Sequence, residues 1–124
     1  MEDSENKYKN LEDRTFEFAK EIRTFVKTLE KTIANIEDSR QVVRSSGSIG
    51  AEYIEANDSL SEKDFIYRIR ISRKEAKEST FWLKLINETN ELIDNLKIES
   101  LINESYELRY IFSSILKKVT GSTK

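Results

Sequence analysis

The side chains able to do chemistry in this sequence are charges. Between Lys63 and Lys84 stand seven basic residues (63, 68, 70, 73, 74, 77 and 84) against three acidic ones (64, 75 and 78). That local surplus of four sits in a chain whose net charge is −2. On a helix drawn at about 100° per residue, Lys63, Arg70, Lys74, Lys77 and Lys84 fall into one narrow strip, with Arg73 at its margin. Arg40 and Arg44, one turn apart upstream, are placed to extend it. Two readings compete for such a strip. It is a solvated face laced by ion pairs, here Glu75 with Lys74 and Glu78 with Arg73, or it contacts phosphates. Because the whole chain is slightly acidic, affinity for a polyanion has to come from this local patch.

Other chemistry is scarce. Histidine and cysteine are both absent. A Ser-His-Asp or Cys-His nucleophilic site therefore cannot be assembled from one copy or several. Zinc loses its usual ligands, and the Glu-x-x-His motifs of di-iron bundles are missing. The carboxylate pairs Glu52 with Glu55 and Glu75 with Glu78 are one turn apart, a spacing ordinary on helix surfaces. The run Ser45-Ser46-Gly47-Ser48-Ile49-Gly50-Ala51 has no Walker lysine and follows no fitting strand, so a phosphate-cradling loop is set aside for close packing through small residues. No enzyme, cofactor, metal or small-molecule substrate is expected.

The elements that must position these charges are helices. Proline is absent and glycine occurs three times in 124 residues, too little punctuation for a turn-rich β fold. A chain of this length makes one domain, 1–124, burying roughly two thirds of its unfolded surface. No apolar run approaches the roughly 20 residues of a membrane span, and Met1-Glu2-Asp3-Ser4-Glu5 is the reverse of a signal peptide, so a cytoplasmic location is expected. Flexible tails are expected at about 1–9 and 120–124. Leu11, Thr15, Phe18, Ile22, Phe25 and Leu29 recur in steps of three and four and predict a first helix over 11–29. A second begins near Thr32, with Ile33, Ile36, Val43, Gly50 and Ile54 along one side and Val42, Ile49, Tyr53 and Ala56 on an adjacent face. A third starts at Ser61, with Asp64 three residues on, and runs to about Asn87. Residues 88 to 97 blur into a connection around Asn90, Asp94 and Asn95. The fourth carries Ile98, Leu101, Ser105, Leu108, Phe112, Ile115 and Val119, with Lys117 and Lys118 in its last turn and Gly121 just beyond. Short connections between four helices imply an all-α, antiparallel up-down-up-down four-helix bundle. Folding the second and third helices back on one another sets Gly47 opposite Ser72, Val43 opposite Ala76 and Ile54 opposite Phe65.

The third helix has more apolar surface than one core needs. Phe65, Ile69, Ser72, Ala76, Ser79, Thr80 and Leu83 share an inward face. Tyr67, Ile71, Phe81, Trp82 and Leu85 make a second, mixed face with Glu75 and Glu78 beside it, and the basic strip runs between the two. Aromatic residues of this kind are enriched at interfaces, so those five are the candidate contact between copies of the chain. Repetition would join the basic strips into a continuous band.

The stretch Ser39 to Ala51, continuing through Tyr53-Ile54-Glu55-Ala56, resembles the second helix of the bacterial four-helix-bundle proteins of the 23S rRNA intervening-sequence (S23) family. Asp64-Phe65, Ile69 through Glu78 and Phe81-Trp82-Leu83 resemble that family's third helix, and Glu107-Leu108 with Ile111 through Ile115 its fourth. The resemblance implies a ring-shaped homopentamer of antiparallel bundles, related to the accessory pentamers of diversity-generating retroelements that bind nucleic acid through basic surfaces. It carries no catalytic residues. The residues matching the family's basic positions are Arg40, Arg44, Arg70, Arg73, Lys74 and Lys77. The expectation is a non-catalytic homo-oligomer binding RNA, DNA or structured nucleic acid through phosphates, away from any membrane. The competing expectation is a protein-interaction scaffold whose charges serve solubility.

Overall fold

Short polar side chains set where the helices begin. In a computed structural model, which describes residues 10–92 and 95–121, Asn10 accepts from the Asp13 amide at the start of α1 (Leu11–Val26). Thr32 does the same for Asn35 at the start of α2 (Ile33–Asn57), and Ser61 for Asp64 at the start of α3 (Glu62–Thr89). Each cap satisfies one amide that the first turn leaves unpaired. The fourth helix, α4, spans Asn95–Thr120 and stops at Gly121, whose φ of 69° suits a residue without Cβ and lets its amide donate to the Lys117 carbonyl. Four helices and no strand make up the described residues. The predicted tail 1–9, residues 122–124 of the tail predicted at about 120–124, and Asp94 of the predicted connection lie outside them, while Thr120 belongs to α4.

Two helix ends depart from the sequence expectation. Apolar spacing carries α1 to Leu29, but it stops at Val26, where the Thr28 hydroxyl donates to the Phe25 carbonyl (2.7 Å) and tightens the chain into a turn. Leu29 remains buried from that turn, so its periodic position reflects the core and not the helix. Asn95, expected in the connection, is the first residue of α4.

Each helix packs on two neighbours, α1 on α2 and α4, α3 on α2 and α4, and the diagonal pairs stay apart. Phe18, Ile22, Val42, Ile49, Ile69, Leu83, Ile86, Ile98, Leu101, Leu108 and Phe112 fill the centre, where Tyr53 meets Phe112 edge-on at 5.7 Å. On α2 the core edge is Val42, Ile49 and Ala56. Ile33, Ile36 and Ile54, expected to line the helix with Val43 and Gly50, are exposed. Hydroxyls allow α2, α3 and α4 to approach closely. Ser45 meets Ser79 at 2.7 Å, Ser72 donates to the Ile49 carbonyl at 2.9 Å, and Thr80 meets Ser105. No fully buried side-chain nitrogen or oxygen among the described residues lacks a partner, so these polar atoms carry no desolvation debt. At one end of the bundle, the Asn35 and Asn90 amides hydrogen-bond each other reciprocally (2.8 and 2.9 Å) while Asn35 also holds the Glu30 carbonyl. That tethers the α1–α2 turn to the end of α3.

The two glycines of α2 face α1 and not α3. A Cβ on Gly50 would stand 2.7 Å from the hydroxyl oxygen and 3.1 Å from the Cβ of Thr15, which is buried and bonded to the Glu12 carbonyl. A Cβ on Gly47 would meet the end of the flexible Arg23 side chain at 3.2 Å. The expected pairing of Gly47 with Ser72 is therefore wrong. Serine at 45 takes the place opposite α3, because the register of α2 on α3 follows the Ser45–Ser79 and Ser72–Ile49 hydrogen bonds. Gly50→Ala is expected to cost about 1–3 kcal/mol through forced displacement of Thr15. Gly47→Ala should be neutral or stabilising by up to about 1 kcal/mol, since alanine is the better helix former. Urea denaturation of the two variants checks the contrast.

Candidate nucleic-acid interface

Helical geometry places every third or fourth residue of α3 on its outward line. Lys63, Tyr67, Arg70, Lys74, Lys77, Phe81 and Lys84 are all exposed there. The line corrects the expected separation of a basic strip from a second apolar face. Tyr67 and Phe81, 61% and 57% exposed, stand among the cations. Ile71, Trp82 and Leu85 are half-buried, and Trp82 packs against the core. Arg73 is also half-buried, at the inner margin of the line.

The acidic residues between Lys63 and Lys84 point elsewhere, while Glu62 and Glu88 at the two ends of α3 are exposed. Glu75, expected beside the outer face, is only 6% exposed and receives the Arg44 guanidinium at 3.4 Å and the Lys74 ammonium at 3.6 Å. Glu78 pairs with Arg44 as well, and accepts the Trp82 indole N–H at 3.0 Å. The Glu75–Lys74 pair was predicted; Glu78 was expected to pair with Arg73. It turns instead to α2, where a guanidinium can bridge two carboxylates at once. Burial pushes the Glu78 carboxyl up, but the hydrogen bonds from Trp82 and Arg44 and the charges of Arg44 and Lys74 outweigh it and hold the group below the ordinary glutamate value. The same Glu78 hydrogen bond raises Arg44 further against a smaller burial effect. Asp64 and Glu52 are taken up by Arg68 at 3.8 and 2.9 Å. So three acids in the basic stretch are consumed inside the bundle or along its seam.

What remains outside between Lys63 and Lys84 is positive. Among the described residues Lys63, Arg70, Arg73 and Lys77 make no ion pair or side-chain hydrogen bond. Arg40 is exposed on α2 and touches Glu37 at 3.9 Å. Arg44 has two nitrogens engaged between α2 and α3, which makes it a cross-link as well as a surface cation. The candidate carboxylate pairs are similarly occupied: Glu52 by Arg68, Glu75 and Glu78 by Arg44.

Two features escaped the sequence. Tyr106 of α4 is 43% exposed and its hydroxyl lies 3.5 Å from the Lys84 ammonium, so the aromatic and basic line continues onto the next helix. The register of α4 on α3 decides this, and no local pattern reports it. On the opposite side, a groove of about 590 Å³ runs between α1 and α2, floored by Gly47, Gly50, Ala19 and Ala51 and flanked by exposed Phe16 and Ile54. Phe16 lies off the apolar seam of α1, which is the one signal that could have marked it.

Among the described residues no helix is long and apolar enough to cross a membrane. Residues 9–114 match the family described as 23S rRNA-intervening sequence protein. A crystal structure of a protein of unknown function from the S23 ribosomal protein family of Bacteroides thetaiotaomicron is similar to this chain, with 35% identity, a TM-score of 0.76, and coverage of 87% of this chain and 99% of that one. No curated protein matches.

Proposed function

The chain belongs to the 23S rRNA-intervening sequence protein family, and we propose from that premise that it is a non-catalytic, cytoplasmic homo-oligomer that binds RNA or structured nucleic acid through phosphates. The observation that carries this reading is the division of charge on α3. The acids between Lys63 and Lys84 pair with Arg44 and Arg68, while Arg70, Lys74 and Lys77 stand outward with Lys63 and Lys84 beyond them. Arg40, Arg44 and Arg73 border the line. Ion pairs that serve only solubility would mix the signs along a solvated face; from Lys63 to Lys84 the outer line is of one sign, and exposed Glu88 follows only in the last turn.

The bundle is antiparallel in this proposal. Pairings that rise on one helix as they fall on the next support it: Asn35 with Asn90, Ser45 with Ser79 and Glu52 with Arg68 between α2 and α3. Glu12 with Asn57 and Arg23 with Val43 do the same between α1 and α2, and Arg14 with Glu104 and Glu21 with Lys97 between α1 and α4. Assembly into a ring, of five as the resemblance implies, needs two unlike surfaces that fit each other. The apolar groove of α1 and α2, with Phe16 and Ile54, supplies one; the half-buried row Ile71, Trp82 and Leu85 supplies the other. Tyr67 and Phe81 adjoin that second surface.

Mass measurement in solution, with and without RNA at about 50 and about 200 mM salt, tests both halves. The expected result is an oligomer at both salts that gains RNA mass only at the lower. A single subunit at high protein concentration removes the ring. A stable oligomer that never takes up RNA favours the scaffold reading, with Tyr67 and Phe81 turned to a protein partner.

A further inference from the structure

Resting on the nucleic-acid reading above, we infer that the outward line of α3 takes an unpaired strand rather than a duplex, with Tyr67 and Phe81 as stacking faces for bases and Arg70, Lys74 and Lys77 between them as phosphate contacts. The order along the line is Lys63, Tyr67, Arg70, Lys74, Lys77, Phe81, Lys84, every member exposed. Tyr67 and Phe81 are fourteen residues apart, about 21 Å along the helix. That span holds about six phosphates at duplex spacing and fewer in a stretched strand, so three cations between two aromatic platforms match its scale.

A lone exposed aromatic needs no explanation. Two of them set into one row of cations do, because a duplex offers such side chains nothing to cover them. Its bases are stacked within, and its backbone presents charge and sugar. An unpaired strand offers both kinds of group in alternation, and every base has a face that can stack. A protein partner suits the line less well, since the centres of protein interfaces are depleted in lysine, and lysine is the commonest residue here.

The Phe81 platform is also held in place. Phe81 meets Trp82 edge-on with ring centres 4.9 Å apart, and Trp82 is fixed through its indole N–H to Glu78, which Arg44 in turn anchors. The ring is thus oriented before any base arrives. Past Phe81, Lys84 reaches Tyr106, a third exposed aromatic on α4, which gives a strand leaving Phe81 somewhere to go.

The test compares a uridine oligonucleotide with an RNA duplex of equal length, by fluorescence anisotropy on the full chain. Wild type should prefer the single strand. Tyr67→Ala with Phe81→Ala should weaken strand binding by at least about 30-fold, from the stacking lost at two bases, and leave duplex binding and the salt slope within about twofold of wild type. Tyr67→Phe with Phe81→Tyr should bind the strand like wild type. Lys77→Ala should instead flatten the slope for the strand by about 0.7. Equal losses for strand and duplex, no loss for either, or a change of subunit number in the alanine variant would each overturn the inference. Wild type that binds neither nucleic acid at low salt defeats the parent reading and this one with it. Wild type that binds both, indifferent to the aromatic pair, defeats only this one.

Discussion

Glu104→Ala is expected to lower the unfolding free energy by about 3 kcal/mol and the melting temperature by on the order of 10 °C. The seam between α1 and α4 is the thinnest in the bundle, and charges close it. Arg14, with its side chain 5% exposed, forms two hydrogen bonds to Glu104, Nε to Oε2 at 2.7 Å and Nη2 to Oε1 at 2.9 Å, with Glu107 4.0 Å away. Lys97 and Glu21 add a second, more exposed link at 3.1 Å. A forked guanidinium-carboxylate pair in this setting is strong in geometry, yet its net worth is set by the cost of drying both ions. Removing the carboxylate alone leaves the buried cation without the two oxygens aimed at it, and that is where the large loss arises. Arg14→Leu combined with Glu104→Leu should recover most of the stability, because the apolar pair is buried without an ion. Calorimetry on Arg14→Leu, Glu104→Leu and the variant carrying both measures the coupling. Additive losses across the three would show that the pair does not act as a unit.

The second large effect is on binding. Replacing Arg70, Lys74 and Lys77 together by alanine should weaken RNA binding roughly 100-fold near about 0.1 M salt, since each lost phosphate contact removes about 0.7 of a decade there, and should flatten the salt dependence by about two. The loss should be the same for RNAs of different sequence, because phosphates carry no base identity. Stability should barely move. All three side chains are exposed, and of the three only Lys74 has an ion pair among the described residues, at 3.6 Å. Glu75, its partner, keeps Arg44. An unchanged affinity in this variant would place any binding surface elsewhere on the molecule.

Helix existence was plain in the sequence because the apolar steps of three and four and the caps at Thr32, Ser61 and Gly121 agree with one another. The inward face of α3 was plain for the same reason: Ile69, Ser72, Ala76, Ser79, Thr80 and Leu83 are buried, and Phe65, at its first turn, is half-buried against the core. What local pattern does not contain is the partner of each face. Gly47 and Gly50 look like contacts for whichever helix lies nearest, and only the packed bundle shows that helix to be α1. Glu75 sits at the edge of the buried sector of α3, where a carboxylate is tolerated only if a cation arrives from outside its own helix. Arg44 supplies it from thirty-one residues away. The same blindness hid the candidate site. A helical wheel puts Tyr67 and Phe81 close to the cations, but whether they belong with Trp82 or with Lys77 depends on how much of the helix the neighbours cover. The core takes in Trp82 and leaves the other two outside.

The claim beneath all of this is that one cationic line on α3 meets phosphates. It is tested most directly by the affinity of the intact protein for single-stranded RNA across a salt series. Three to five contacts predict that log affinity falls linearly against log salt with a slope between about −2 and about −3.5. Binding that ignores salt, or none at the lowest salt, would contradict the account.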